Sequence, residues 1–105
     1  MEIKITWSNF SKFKLLEIFK YYKENVSTKV AKDLVKNLTL EPNVLIKAPY
    51  IGQIEPLLSE RNIVYRYIIF KSYKILYSVD EENSIIKIHD VFDTRQKPVK
   101  ILRKK

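Results

Sequence analysis

Residues 63–92, IVYRYIIFKSYKILYSVDEENSIIKIHDVF, decide the fold class of this chain. They contain three runs rich in isoleucine, valine and tyrosine, which are residue types that favour β-strands. Lys71 and Ser72 separate the first two runs, and residues 80–83 separate the second from the third. Because links this short join neighbouring antiparallel strands, the stretch predicts a three-stranded meander.

Two amphipathic helices are predicted before the meander. Ser8 and Ser27 are suited to cap their first turns, and apolar residues follow each serine at helical spacing. The first helix is expected to end near Asn25, and Pro42 ends or kinks the second. About two residues join the helices, so they should form an antiparallel hairpin. With a first strand at Ile3–Trp7, the predicted order is β-α-α-β-β-β, an α+β fold with the hairpin packed on one face of a twisted antiparallel sheet.

Alternation along the strands predicts which side chains share a face of the sheet. The all-apolar sets are expected to pack on the helices, and they include Tyr65, Tyr67 and Ile69 on the first strand of the meander and Phe92, without Val91, on the last. The other face is expected to be open to solvent or to a partner. That face is predicted to collect Arg66, Lys74, Lys87 and His89, with Arg95 beyond the strand end.

Composition limits the class of protein. The 105 residues are expected to form a single domain, 1–105, with a basic tail from about residue 95 to residue 105. The net charge is +8, and the tail holds six bases and no acid. It suits an anionic partner, or it is a solvated terminus. The absence of cysteine and of any membrane-spanning apolar run predicts a cytoplasmic location.

The sequence offers little for a cofactor. One histidine and scattered acids form no ligand cluster, so no metal is expected. No glycine-rich phosphate loop is present, and no cofactor is expected. The single glycine, Gly52, is predicted to hold a backbone angle that other residues resist.

A polar cluster ends the last predicted strand in IHDVFDTRQKP, residues 88–98. Asp93 stands two residues before Arg95, so a bidentate pair can tie the strand end down, with Asp90 in the same cluster and Arg66 as a second possible partner of Asp93. The alternative is that Arg95 is presented to a phosphate or to a target protein. Pro98 then keeps the chain from continuing as a strand.

The chain resembles the RelE/ParE superfamily, the toxins of bacterial toxin–antitoxin modules, over nearly its whole length. The resemblance lies in an arginine on the second strand (Arg66), a Tyr-basic-x-x-Tyr run on the third (residues 73–77) and an arginine after the fourth (Arg95). VFDTRQKP, residues 91–98, and PYIGQ, residues 49–53, are also similar to members of the ParE-like branch.

The resemblance implies one of two activities. RelE-like members cut messenger RNA on the ribosome with basic residues of the open sheet face and a tail tyrosine, whereas ParE-like members poison DNA gyrase. Ile68 and Ile101 stand where the second lysine and the tail tyrosine would be, which favours the ParE-like branch. If the chain is a nuclease, the resemblance assigns catalysis to Arg66, Lys74 and Arg95, with His89 as a possible proton relay.

The expected function is therefore that of a toxin that inhibits DNA gyrase, is not an enzyme, and forms a heteromer with a cognate acidic antitoxin. One alternative is a metal-independent endoribonuclease acting on ribosome-bound messenger RNA. Another is a non-toxic basic binding module or a decayed toxin. No membrane partner is expected. The residues expected to contact the target or the antitoxin are Arg66, Lys74, Lys87, Arg95, Lys97 and Lys100.

Overall fold

The computed structural model describes residues 2–95. Within that range two helices follow a first short strand, and the rest of a five-stranded sheet comes after them. The elements are β1 (Lys4–Trp7), α1 (Asn9–Asn25), α2 (Thr28–Leu40), a 3₁₀ helix (Glu41–Ile46), β2 (Gln53–Ile54), a 3₁₀ turn (Pro56–Leu58), β3 (Arg66–Phe70), β4 (Tyr73–Asp80) and β5 (Ile85–Asp93).

The helix boundaries follow from capping, as the sequence predicts. The Ser8 hydroxyl accepts the Ser11 N–H at 3.0 Å, and the Ser27 hydroxyl accepts the Val30 N–H at 3.1 Å. Pro42 lies in the first turn of the 3₁₀ helix that follows α2. Of the helices in residues 2–95, none is both long and apolar enough to cross a membrane.

The sheet has the strand order β1-β5-β4-β3-β2, and the predicted antiparallel meander is its centre. β1 runs parallel to β5, with Lys4 opposite Ile85 and Trp7 opposite Ile88, so the sheet is mixed rather than wholly antiparallel. The helical hairpin and the first two strands of the meander lie between β1 and β5 in the chain, a connection long enough for parallel pairing. The two-residue strand β2, which the sequence did not predict, forms the opposite edge.

The hydrophobic core lies between the helices and one face of the sheet, which confirms the α+β class and the packing of the hairpin on the sheet. Helix residues such as Leu34 and Leu38 meet strand residues such as Ile75 and Tyr77, and all four are buried. The buried members of this core are Leu34, Leu38, Leu45, Tyr73, Ile75, Tyr77, Ile86, Ile88 and Val91.

A β-bulge in β5 changes which side chains face the helices. Leu76 pairs with Asp90 but Tyr77 pairs with Ile88, so His89 is an extra residue in β5. The bulge reverses the alternation beyond it. Val91 therefore joins the helix-side core and Phe92 joins the cluster on the other face. The predicted placement of Phe92 toward the helices was wrong for this reason.

The two faces of β3 are also the reverse of the prediction. Arg66 lies opposite Tyr77 and Ile68 lies opposite Ile75, and residues directly opposite one another share a face. Arg66, Ile68 and Phe70 are therefore on the helix side. The apolar pair Ile68 and Phe70 completes the core there, while Tyr67 turns to the other face and its hydroxyl bonds Gln53 at 2.9 Å.

The face that was expected to be open is partly covered. Leu58, from the 3₁₀ turn after β2, packs with Leu76 and Phe92 in a second buried cluster, against which Tyr65 and Tyr67 also pack. The segment 55–65 therefore crosses this face of the sheet, and we call it the covering segment.

Candidate functional site

Lys74, a candidate catalytic residue, is held by a buried carboxylate. Its Nζ lies 2.8 Å from Oε1 of Glu55, whose side chain has no exposed surface. The other Glu55 oxygen accepts the Leu57 N–H at 3.0 Å, and Lys74 Nζ lies 4.2 Å from the centroid of the Tyr67 ring. The pair fastens the covering segment to β4. Sequence reasoning missed Glu55, because no local pattern connects it with a lysine nineteen residues later.

Arg66 lies on the opposite face of the sheet from Lys74. Its guanidinium donates to the carbonyl oxygen of Gly52 at 3.0 Å and stacks 5.3 Å from the centroid of the Tyr50 ring. The Tyr50 hydroxyl hydrogen-bonds the Glu81 carboxylate, and this bond raises the pKa of Tyr50. Arg66 thus joins β3 to the loop before β2. The alternative prediction, that Arg66 pairs with Asp93, was wrong.

Gly52 is required by a close approach rather than by a backbone angle. Its N–H donates to the Tyr77 hydroxyl at 3.0 Å, and that hydroxyl donates to the Pro49 carbonyl oxygen at 2.7 Å. A Cβ at this position would lie 2.6 Å from the Tyr77 hydroxyl oxygen and 2.7 Å from the Tyr67 carbonyl oxygen. Gly52 does not have a positive φ, so the predicted reason for the glycine was wrong.

His89 is buried at the bulge and is bound by its neighbours. Its Nε2 lies 2.7 Å from the Ser78 hydroxyl oxygen, and its ring meets Tyr65 edge to face with centroids 5.0 Å apart. His89 is only 7% exposed, whereas the neighbouring Lys87 is exposed. These contacts favour a packing role for the histidine.

Asp93 and Arg95 form the predicted bidentate pair. Arg95 Nε lies 3.0 Å from Oδ1 of Asp93 and Nη2 lies 2.8 Å from Oδ2, while the Arg95 backbone N–H donates to Oδ1 at 2.9 Å. The hydrogen bond from the guanidinium lowers the pKa of Asp93, and the same bond raises the pKa of Arg95. Asp90 does not join this pair, because it bonds Lys14 of α1 at 3.1 Å.

Two tyrosines extend the strand-end cluster toward α1. Interaction with the Tyr73 hydroxyl, followed by interaction with the Arg95 guanidinium, lowers the pKa of Tyr22. Burial raises the pKa of Tyr73. Tyr22 lies within α1, and Tyr73 begins the family pattern at residues 73–77. Neither location in the sequence indicates that the residue lies near Arg95.

The candidate residues do not converge on one site. Arg66 is on the helix side, Lys74 is on the other face under the covering segment, and Arg95 is at the strand end. Each is held by its own oxygen acceptors. Lys97 and Lys100 lie outside the described residues. In the part of the chain that the structure describes, no cluster of three or more histidine, cysteine, aspartate or glutamate side chains is placed to hold a metal ion.

Comparison with known proteins agrees with this architecture. A family model described as the ParE toxin of type II toxin-antitoxin system, parDE, matches residues 5–98. A solved structure described as the chromosomal ParDE TA system from P. aeruginosa is similar in fold, with a TM-score of 0.72 over 88% of this chain and 96% of that chain at 16% sequence identity. No curated protein matches the chain.

Proposed function

This chain belongs to the ParE toxin family of type II toxin–antitoxin systems, and on that premise we propose that it arrests growth by inhibiting DNA gyrase, without cutting RNA, and that a cognate acidic antitoxin neutralises it. The observation that carries the proposal is the dispersal of the basic residues that a RelE-like nuclease would gather on one face of the sheet. Arg66 and Lys74 are on opposite faces, and Arg95 is at a strand end.

RNA cleavage through a 2′-hydroxyl requires a group that removes its proton, a group that protonates the leaving oxygen and cations that stabilise charge on phosphorus. Such groups must reach one phosphate together. Lys74 could approach a phosphate only by leaving the fully buried Glu55 carboxylate without its partner, which is costly. His89 is buried, and its ring contacts the Ser78 hydroxyl. Both features also argue against a role for His89 in RNA cleavage.

The charge of the chain supports an acidic antitoxin. The net charge is +8, and several large apolar side chains, including Phe13 and Leu16 on α1, are more than half exposed. An acidic segment with apolar anchors complements both features. Complementary charge would also speed association between the two proteins.

The proposal is tested by inducing the chain in a bacterium with and without the product of the adjacent reading frame. We expect filamentation and DNA-damage signalling, intact messages on translating ribosomes, and rescue of growth by a copurifying acidic neighbour. Rapid cleavage of ribosome-bound messages would instead support the endoribonuclease. Normal growth at full expression would support a decayed toxin or a plain binding module.

A further inference from the structure

The covering segment has the form of a compact surface loop with closed ends. Its ends meet because the Glu55 N–H donates to the Tyr65 carbonyl oxygen at 2.8 Å. Among the residues between these ends, all of which the structure describes, Leu58 alone is buried and the others are exposed. Compact loops of this length whose ends lie close together are frequently functional. Segments with few buried apolar contacts can also open while the rest of the domain stays folded.

Two side chains of the covering segment bind the sheet beneath it. The Glu55 carboxylate lies 2.8 Å from Nζ of Lys74. Leu58 is 4% exposed and packs with Leu76 and Phe92. One carboxylate and, three residues later, one leucine side chain therefore hold the segment. The sheet offers a cation beside an apolar surface in return.

We propose that the covering segment is an autoinhibitory lid, which opens while the sheet stays folded and uncovers a docking site for an acidic peptide with an apolar anchor. A carboxylate on Lys74 and an apolar side chain on Leu76 and Phe92 would reproduce the contacts of the closed lid. Charge selects an acidic occupant. When the lid carries Glu55 away, Lys74 remains as a cation 4.2 Å from the centroid of the Tyr67 ring, and a cation beside apolar side chains attracts a carboxylate.

The closed lid and the peptide compete for the same surface. Because the peptide binds only the open form, its apparent dissociation constant is the intrinsic constant divided by the open fraction. A substitution that weakens the closed lid therefore tightens peptide binding, whereas damage to the docking surface would weaken it. Neither gyrase nor an antitoxin enters the two tests, so the lid can fail while the proposed function stands, and the reverse.

Opening of the lid is tested by thiol labelling, since the chain contains no cysteine. Leu76→Cys places a thiol beneath the lid, and the matched Ile75→Cys places one in the core on the helix side. Both parent side chains are fully buried. We expect the Leu76→Cys thiol to react faster, at a rate that changes little in dilute urea, because a local opening exposes little surface. The Ile75→Cys thiol should react only through global unfolding, at a rate that rises with urea. Equal rates with the same urea dependence would overturn the proposal.

Docking is tested with the acetylated peptide EPLLSERN, residues 55–62, which carries the carboxylate and the leucine of the lid. In the protein, Leu58→Ala weakens the closed lid, and Leu57→Ala is the matched control because Leu57 is exposed. The Leu58→Ala protein should bind the peptide about tenfold or more tightly than the parent, since loss of a buried leucine costs at least that factor. The Leu57→Ala protein should bind it as the parent does. An NMR titration that follows the amides of Lys74 and Leu76 measures both.

The same two substitutions made in the peptide test its anchor. A peptide with Leu57→Ala should bind as the unmodified peptide does, and a peptide with Leu58→Ala should lose most of its affinity. Glu55→Gln in the protein is a second variant that weakens the lid and keeps Lys74, and it decides the outcome if the Leu58→Ala protein does not fold. Equal affinities of the parent and the variants with a weakened lid would overturn the proposal, as would the absence of binding to those variants.

Discussion

The ammonium group of Lys74 lies 2.8 Å from the carboxylate of Glu55, and that carboxylate has no exposed surface. The pair joins β4 to the covering segment and neutralises a basic residue on the face of the sheet that a nuclease would use. The same contact therefore holds the covering segment on this face of the sheet and supports the proposal that the chain cuts no RNA.

Lys74→Met should destabilise the protein by about 2–4 kcal/mol, because it leaves a buried carboxylate without its cation. Urea unfolding at neutral pH measures this change. Lys87→Met is the matched control, since Lys87 is exposed and none of the ion pairs of residues 2–95 includes it. The double variant Glu55→Gln, Lys74→Met should cost less than the sum of the single variants. Equal costs for Lys74→Met and Lys87→Met would show that the Glu55 pair contributes nothing.

Asp93→Asn should lower stability at neutral pH and lose that effect in acid. The guanidinium of Arg95 holds the pKa of Asp93 below its usual value of 3.8, so the folded state binds this proton less tightly than the unfolded state. The stabilisation is full above the usual pKa and is lost as the pH falls through the lowered pKa. Thermal unfolding is measured from pH 7 to pH 2 for the parent protein and for Asp93→Asn. Plotted against pH, the two stabilities should differ above about pH 5 and converge in acid. Parallel curves over the whole range would exclude a stabilising pair.

Arg95→Ala separates the structural role of Arg95 from a role in toxicity. If Arg95 acts mainly through Asp93, the double variant Arg95→Ala, Asp93→Asn should be less destabilised than the sum of the two single changes. A growth assay on the same variants supplies the second readout. We expect coupling in stability together with reduced toxicity for Arg95→Ala. Additive stabilities with full loss of toxicity would assign Arg95 wholly to the target.

Gly52→Ala should destabilise the protein by about 1–3 kcal/mol, because the added methyl group meets a backbone carbonyl and a buried ring. Gln53→Ala is the control. The Gln53 side chain is exposed, and its removal costs only one surface hydrogen bond, from the Tyr67 hydroxyl. Chemical unfolding of the two variants is the measurement. If both variants had the stability of the parent, the Tyr77 side chain would have to move away from the added methyl group at no cost, which would contradict the prediction.

Ser78→Ala should cost about 1 kcal/mol, the usual worth of one buried hydrogen bond, and should leave toxicity unchanged. Its hydroxyl is bound to His89, and the proposal gives that pair a packing role. Thermal unfolding and a growth assay on the same variant check the two parts. Loss of toxicity in a variant that remains folded would point to a chemical role for His89.

The sequence predicts much of this fold because the relevant signals are local. Ser8 and Ser27 cap the helices through bonds to residues three positions later, and Asp93 binds Arg95 two positions later. Contacts at such short separations follow from the order of residues. The strand runs around Tyr73–Asp80 follow from residue type in the same way.

The predictions that were wrong depend on contacts between distant parts of the chain. The bulge at His89 exchanges the faces of Val91 and Phe92, although both residues are apolar and either could face the core. The face on which Arg66 lies depends on the pairing of Arg66 with Tyr77 in the neighbouring strand. The ion pair of Glu55 with Lys74 joins the covering segment to β4. Alternation within one strand cannot reveal a bulge or the register between strands.

The most direct test of the central claim compares two reactions of the purified full-length protein. One contains DNA gyrase and relaxed plasmid, and the other contains translating ribosomes with a labelled message. The account predicts that the protein blocks supercoiling, that a copurified antitoxin restores it, and that the message stays intact at the same toxin concentration. A message cut on the ribosome, with supercoiling unaffected, would contradict the account and return Arg66, Lys74 and Arg95 to candidacy as catalytic residues.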